Sequence, residues 1–335
     1  PVTPGASRIQ SLPSTERMTR LFAFALLAAL ATGAAAQQYP IRPVRMIVPF
    51  AAGGPGDFLA RTVGPRLSET LGQSVVVDNR GGANGQIATD IAAKSDPGGH
   101  TLLVISAGHT VNATLYTKLP YDSVRDFTPI IRLVSGPAIV VVHPSLPVSS
   151  VKELAAHAKQ NPGKVLFASS GTGAPSHLAV ELFKVMTKTE LVHVPYKGMA
   201  PGIVDLLGGQ VQVAFPTMVA GLVHARAGRL RALAVTSAQR SKAAPELPTM
   251  AEAGIPGYEA TNWYGLVGPA KMPPAVVARL NSETARILAL PEVRDRLSAQ
   301  GMDPSALSPD AFAAYMASEI QKWARVIKAA RVKTE

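Results

Sequence analysis

Short β-rich apolar runs alternate with longer stretches whose apolar positions recur at helical spacing. The runs at 44–50 (VRMIVPF), 74–78 (SVVVD) and 101–105 (TLLVI) read as strands. The segments at 57–71 and 87–94 between them read as helices. The same rhythm returns in the middle of the chain. There 138–142, 165–168, 191–194, 211–215 and 230–236 read as strands. Helices are predicted from Ser150, from about Pro175, near 201–207 and near 218–227. Ser150 and Glu153 form a capping-box pattern, in which hydroxyl and carboxylate satisfy free amides at a helix start. Strands alternating with helices indicate parallel α/β architecture.

The end of the chain changes character. After a strand at 262–267 (NWYGLV), the pattern predicts helices at 274–290 and 292–300 and no clear strand. Ser308 followed by Pro309 starts a last helix with an N-cap and a proline at the first helical position. Phe312, Tyr315, Met316, Glu319, Ile320, Trp323 and Ile327 lie at helical spacing and read as a core-facing stripe. No repeat of solenoid period is visible.

Two α/β blocks followed by helices predict two lobes. Pro/Gly punctuation at Ser135-Gly136-Pro137 and at 254–257 marks candidate crossings between them. The expected division places 37–137 and 262–335 in the first lobe and 138–261 in the second. A cleft is expected between the lobes, at the C-terminal ends of strands, where open α/β sheets bind ligands.

Composition supports this reading. With 335 residues, 47% hydrophobic and 16% charged, the chain has material for two packed domains and is unlike a disordered one. Residues 1–36 stand apart. Arg17 and Arg20 precede the apolar run 21–30 (LFAFALLAAL), and Ala34-Ala35-Ala36 supplies small residues before Gln37. That is the pattern of a cleavable signal peptide, and the run is too short for a spanning helix. Residues 1–17 read as an upstream extension of the frame. Export to the periplasm is the expectation. Without cysteine, disulfides and thiolate metal sites are excluded.

The formal charge is +11. Residues 1–36 hold Arg8, Arg17, Arg20 and Glu16, a net +2, which leaves about +9 on the remainder. Lys and Arg are dispersed except near the C-terminus, so the charge does not mark a nucleic-acid surface. It favours the approach of anions.

Three loops carry candidate chemistry. Phe50-Ala51-Ala52-Gly53-Gly54-Pro55-Gly56-Asp57 joins a strand to a helix. Glycines permit close backbone approach, and a helix N-terminus suits a carboxylate or phosphate. An ordinary tight βα turn has the same composition. Ser169-Ser170-Gly171-Thr172-Gly173-Ala174-Pro175-Ser176-His177 is a second such loop, rich in hydroxyls. It lacks the Gly-Lys-Ser/Thr ending of a P-loop and the third glycine of a Rossmann fingerprint. His177 is either a ligand contact or a structural histidine of the first helical turns. Tyr196-Lys197-Gly198 follows a strand and either walls the cleft or forms a solvated turn. Trp263 and Tyr264 either wall the cleft or pack in the core. No nucleophile elbow, zinc motif or carboxylate pair is present, and the seven histidines lie far apart. No catalytic residue, metal or cofactor is predicted.

Several segments, in order, resemble the Bug receptors, the extracytoplasmic components of tripartite tricarboxylate transporters. They are Tyr39-Pro40, Val48-Pro49-Phe50 with 53–57, VVVDNR at 75–80, SSGTGAPSHL at 169–178, VPYKG at 194–198, DLLGGQ at 205–210, GRLRALAVTS at 228–237 and WYGLVGP at 263–269. The resemblance runs from about Tyr39 to Ile327. It implies a two-lobed periplasmic-binding-protein fold of type II, the Venus flytrap. It also implies that the ligand's carboxylates are held by Phe50, Ala51, Ala52, Gly53, Gly54 and Asp57 of the first lobe and by Ser169, Ser170, Gly171, Thr172, Gly173 and His177 of the second. Tyr196, Lys197 and Gly198 would flank the cleft. The expected partners are a small carboxylate (organic, amino or aromatic acid) and the membrane permease subunits, with a monomer as the expected state. The rival reading is a receptor that presents ligand to a sensor kinase. An enzyme and a transcription regulator are less well matched, for want of a catalytic motif and of a DNA-binding domain.

Overall fold

In the computed structural model, residues 39–50, 52–82 and 85–332 are described. The signal-peptide reading falls on residues 1–36, outside them. Three strands, β1 (Val44–Val48), β2 (Val75–Asn79) and β3 (Thr101–Ser106), alternate with helices α1 (Pro55–Leu71), α2 (Gln86–Ala93) and α3 (Ala107–Leu115). A long strand β4 (Phe127–Pro137) leads directly into β5 (Ile139–Val142). Then follow α4 (Val151–Gln160), β6 (Val165–Ser169), α5 (Pro175–Thr187), β7 (Leu191–Pro195), α6 (Met199–Leu207), β8 (Val213–Ala214), α7 (Met218–Arg226) and β9 (Arg231–Val235). The chain ends with β10 (Thr261–Pro269), α8 (Pro274–Ala289), α9 (Pro291–Ser298), β11 (Asp303–Leu307) and α10 (Pro309–Ala330).

These strands form two sheets, one in the order β11-β4-β10-β3-β1-β2 and the other β7-β6-β8-β5-β9. The two-lobed α/β fold stands. The expected parallel architecture holds for part of each sheet. β1 pairs in parallel with β2 and β3, and β6 with β7 and β8. But β10 runs antiparallel to β3 and β4, β11 to β4, and β5 to β8 and β9. The reason is topological: the chain leaves the first sheet on β4 and re-enters it on β10, against the direction of the strands it joins.

Two further elements escape a reading of periodicity. β4 contains Pro129, Arg132 and Gly136, which break its alternation, and its pairing with β10 and β11 on either side holds it extended. β11 (DPSAL) has the composition of a turn, and pairs Asp303 with Ser135, Pro304 with Val134 and Leu307 with Arg132. The caps behave more simply. Ser150 accepts the Glu153 N–H at 3.2 Å, and Ser308 accepts that of Ala311 at 3.3 Å. The Glu153 carboxylate reaches one residue beyond the expected partner and accepts the N–H of Ser149 at 2.7 Å.

Each sheet has its own core. Ile47, Leu103, Ile105, Trp263, Phe312 and Met316 belong to the first, and Val140, Phe167, Phe183 and Phe215 to the second. The last helix serves both, because Trp323, Val326 and Ile327 pack with the second core. Glu319, buried between, accepts the indole N–H groups of Trp263 (3.2 Å) and Trp323 (3.0 Å) and pairs with Lys322. Its charge is thus buried with partners, as a buried charge requires. The two crossings run side by side: Thr261 pairs with Pro137 and Asn262 with Gly136. Thr236 ties them together, donating its N–H to Ala138 O and accepting that of Ala260 at its own carbonyl. The glycine turn at 254–257 lies before the crossing, with Ile255 and Tyr258 in the second core. No helix among the described residues is long and apolar enough to cross a membrane.

Candidate ligand-binding cleft

A cleft of about 440 Å³ opens between the two sheets. The first βα loop contributes Gly53, Gly54, Pro55 and, one turn on, Phe58. The second sheet contributes Ser170, Pro175, Ser176, Met199, and Phe215 to Thr217 with Val219 and Ala220. The crossing strands supply Ser135, Gly136, Pro137, Asn262 and Tyr264, and the turn before β11 adds Gln300, Gly301 and Met302. Among the described lining residues no side chain is acidic or basic. Polar character comes from backbone amides, hydroxyls and two carboxamides.

The first loop is shaped by Gly53, at φ 81°, a conformation that suits glycine. Gly54 is the N-cap of α1 and carries no side chain to occupy the first-turn amides; Pro55 follows at the first helical turn. Asp57 turns back and accepts the Gly53 N–H at 2.8 Å. Arg61 Nε donates to both Asp57 oxygens at 2.9 and 3.0 Å, and another Arg61 nitrogen reaches Asn79 Oδ1 at 3.2 Å. Asn79 in turn donates to Phe50 O at 3.2 Å. Burial alone would raise the Asp57 carboxyl, but the Gly53 N–H, Arg61 and Asn79 outweigh it and hold it below the ordinary carboxylate range. Asp57 is therefore a buried brace behind the loop. Phe50 supports the loop by meeting Tyr264 edge-on, with ring centres 6.1 Å apart.

The second loop repeats this design with other residues. Gly173, at φ 76°, precedes the N-cap Ala174, which has no capping side chain, and Pro175 opens α5. His177 turns back and accepts the Gly173 N–H at Nδ1, 3.0 Å away. With Nδ1 accepting, the ring proton is on Nε2, which faces Glu181 at 3.5 Å. His177 stacks on His193 with ring centres 3.8 Å apart. His193 Nε2 lies 2.6 Å from Ser169 Oγ. Burial pushes His193 down to about 4. Ser169 Oγ also accepts the Gly171 N–H at 3.1 Å, so Ser169 is spent on shaping the loop. The Ser170 N–H donates to Ser176 Oγ and the two hydroxyls meet, both at 2.9 Å.

Of the residues singled out in the sequence, Gly53, Gly54 and Ser170 line the cleft. Asp57, Ser169, Gly173 and His177 lie behind the loops, buried. Ala52 and Thr172 are exposed and outside the lining, and Ala51 falls outside the described residues. Gly171 shapes the loop at φ 132°. Tyr196, Lys197 and Gly198 also lie outside the lining. Tyr196 donates to Asp205 at 2.6 Å, and burial followed by that bond pushes its hydroxyl up to about 12. Lys197 is exposed, and the Gly198 N–H returns to Ser170 O at 3.3 Å. The Trp263/Tyr264 alternative resolves by strand alternation: Trp263 is in the core and Tyr264 faces the cleft. Sequence reasoning missed Ser135, Asn262, Gln300 and Met302. Ser135 belongs to the Ser135-Gly136-Pro137 punctuation, which was the available signal for it. Among the described residues no group of three His, Asp or Glu is placed to hold a metal.

Comparison with known proteins gives this cleft a context. Residues 59–332 match the family described as tripartite tricarboxylate transporter family receptor. Protein BugT of Bordetella pertussis is 40% identical over 317 residues, covering 93% of this chain and 97% of that protein. The structure of R. palustris Rpa4515 with adipate is 39% identical, covers 88% of this chain and 99% of that one, and superposes with a TM-score of 0.76. The periplasmic binding protein BugD is 36% identical, with coverage of 89% and 100% and a TM-score of 0.73. Sequence, fold and cleft agree that this chain belongs to the tripartite tricarboxylate transporter receptor family and is one of its solute-binding receptors.

Proposed function

We propose that the receptor captures a small carboxylate between the two matched loops and delivers it, unchanged, to membrane permease subunits. The observation that carries this reading is the repeated loop design. In each lobe a helix opens on the cleft with Pro at its start and no capping side chain on its N-cap, beside a glycine of positive φ. Such an end offers free amides and about half a positive charge to an anion. Gly54 on one side, and the hydroxyls of Ser170 and Ser176 on the other, are the donors in this reading, and Gly53, whose N–H is held by Asp57, sets the close backbone approach. Asp57 and His177 keep the loops in shape. The adipate in Rpa4515 is a carboxylate of the right class.

Capture by one lobe is followed by hinge closure that completes the contacts of the other. The hinge is assigned to the paired crossings at 135–138 and 260–262, which sets the lobes as 37–137 with 262–335, and 138–261. Export to the periplasm is part of the same reading, supported by the 17–36 pattern and by the family. A thermal-shift screen against mono-, di- and tricarboxylates, amino acids and aromatic acids, with the matching amides as controls, tests it. An acid at about a thousand times its dissociation constant adds roughly 4 kcal/mol. A shift for an acid and none for its amide supports the anion clamp; equal shifts for both would remove it.

A further inference from the structure

We infer that the back of the hinge is a second binding site, for hydrogen phosphate, and that filling it holds the front cleft open. The inference uses the hinge assigned above and does not depend on the carboxylate reading. A second cavity, of about 490 Å³, lies against the crossing strands at Ser135, Pro137 and Thr261. Thr261 pairs with Pro137 and Trp263 with Ser135, and cross-strand partners share a face. Val134, Gly136, Asn262 and Tyr264 alternate with them and line the ligand cleft. Ser135 and Pro137 border both cavities. The two cavities therefore lie on opposite faces of one two-stranded hinge.

The back cavity is walled from both lobes and is charged. The loop after β9 brings Arg240 and Lys242 from the second lobe, and α9 and β11 bring Arg294 and Asp303 from the first. Arg240 is already met by Glu252 at 2.8 Å and by Pro245 O at 3.2 Å. Lys242 and Arg294 are exposed and make no ion pair among the described residues. The loop that carries Lys242 is fixed: Ser241 accepts the Ala243 N–H at 3.2 Å, and Arg226 donates to Ala243 O at 2.7 Å. Two cations that face one cavity from opposite lobes are best satisfied by an anion between them. Asp303 is the one acidic side chain in that lining, and it narrows the choice. It repels an anion that is fully ionised, such as sulfate. Hydrogen phosphate keeps an O–H even as the dianion, and that O–H can donate to the carboxylate.

The coupling follows from the shared hinge. The cavity is wider than one such ion, so Lys242 and Arg294 both reach it only as the back narrows. Rotation about the crossing strands that narrows the back widens the front. Phosphate at the back thus opposes closure, and a ligand that closes the front weakens phosphate by the same factor.

The chain has no cysteine, so a pair of spin labels can be placed without background. Glu69→Cys on α1 and Val223→Cys on α7 are exposed positions outside both linings. The distance between the labels is measured by double electron–electron resonance with inorganic phosphate, with sulfate and with neither; calorimetry gives the affinities. Phosphate is expected to bind and to lengthen the distance. Lys242→Ala and Arg294→Ala should each weaken it about tenfold, the worth of one hydrogen bond to a charged group. Sulfate should bind at least about tenfold more weakly than phosphate, and Asp303→Asn should shrink that gap. No phosphate binding, binding untouched by Lys242→Ala and Arg294→Ala, or a shortened distance, which would seat the phosphate in the front cleft, would each overturn the inference. Binding that the variants weaken, with the distance unchanged, would overturn the coupling and the hinge assignment. None of these outcomes touches carboxylate capture, which the acid and amide screen decides.

Discussion

The loop after β1 is held by a carboxylate, and the loop after β6 by an imidazole. In Gly53-Gly54-Pro55-Gly56-Asp57 the carboxylate of the third helical residue accepts the N–H of the residue before the N-cap. In Gly173-Ala174-Pro175-Ser176-His177 an imidazole nitrogen does the same at the same spacing. Glu153 and Ser149 repeat the arrangement at the start of α4, away from the cleft lining. The lesson is that the latch is a general way of fixing a helix entry, and its presence alone does not make a site. The two cleft loops differ from this one in that their N-caps lack a capping side chain, whereas Ser150 caps α4.

The loops differ most in their surroundings. A methyl group added at Gly173 meets Leu115 Cδ2 at 2.5 Å, whereas one added at Gly53 has nothing within 4 Å. Gly53→Ala is expected to cost about 1–2 kcal/mol from left-handed strain alone. Gly173→Ala should cost about 1–3 kcal/mol more, from displacing Leu115. Urea unfolding of the two variants checks this, and equal losses would mean that the loops are equally free.

Asp57→Ala comes next. It strands the Gly53 N–H and the Arg61 guanidinium, for an expected loss of about 1–3 kcal/mol. The Asp57 carboxyl lies below its ordinary range when folded. Its contribution is therefore present above the unfolded value and is lost as pH falls through the lowered one. Chemical denaturation of wild type and variant should then converge in strong acid, and a constant gap would contradict the latch.

The second loop answers to milder acid. His193 is pushed from 6.5 to about 4 when folded, so the unfolded chain binds a proton in that window and the folded chain does not. Stability is thus full above 6.5 and declines as pH falls toward 4. His193 is faced by Ser169, His177, Glu181 and Lys184, which share the field it titrates in. After discounting for its partial exposure, roughly 1 kcal/mol is expected across the window. A His193→Gln variant should flatten that slope in pH-dependent melts; an unchanged slope would place the proton elsewhere.

The smallest effect separates lining from rim. Ser170→Ala removes a hydroxyl that faces the cleft and should weaken acid binding by roughly fivefold, the worth of one hydrogen bond. Thr172→Ala, on an exposed residue outside the lining, should leave the affinity within about twofold. Titration calorimetry on both distinguishes them, and a reversed order would move the ligand outward along the loop.

The loops themselves were legible because composition and position both mark them. Glycine clusters between a strand and a proline-initiated helix have few alternatives. The roles inside the loops were not. Asp57 and His177 look like contacts in the sequence, yet burial turns them into braces. Tyr196 and Lys197 were reasonable flanks on spacing, and the lining begins only at Met199. Asn262 and Gln300 carry no local signal at all, since ordinary amide residues on strands or turns acquire meaning only when a cleft forms beside them.

By itself the sequence determined the alternation of strands and helices, the caps at Ser150 and Ser308, the two lobes and the loops that open on the cleft. These follow from local propensity and from periodicity, which neighbouring residues encode. Only the tertiary structure decided the antiparallel course of β10, the strand made from DPSAL, the sharing of α10 between two cores, and the uncharged lining of the cleft. Each of these depends on residues more than a hundred positions apart coming together, such as Thr128 with Pro269 or Arg132 with Ser305. Such contacts are fixed by the path of the whole chain, and no local pattern records them.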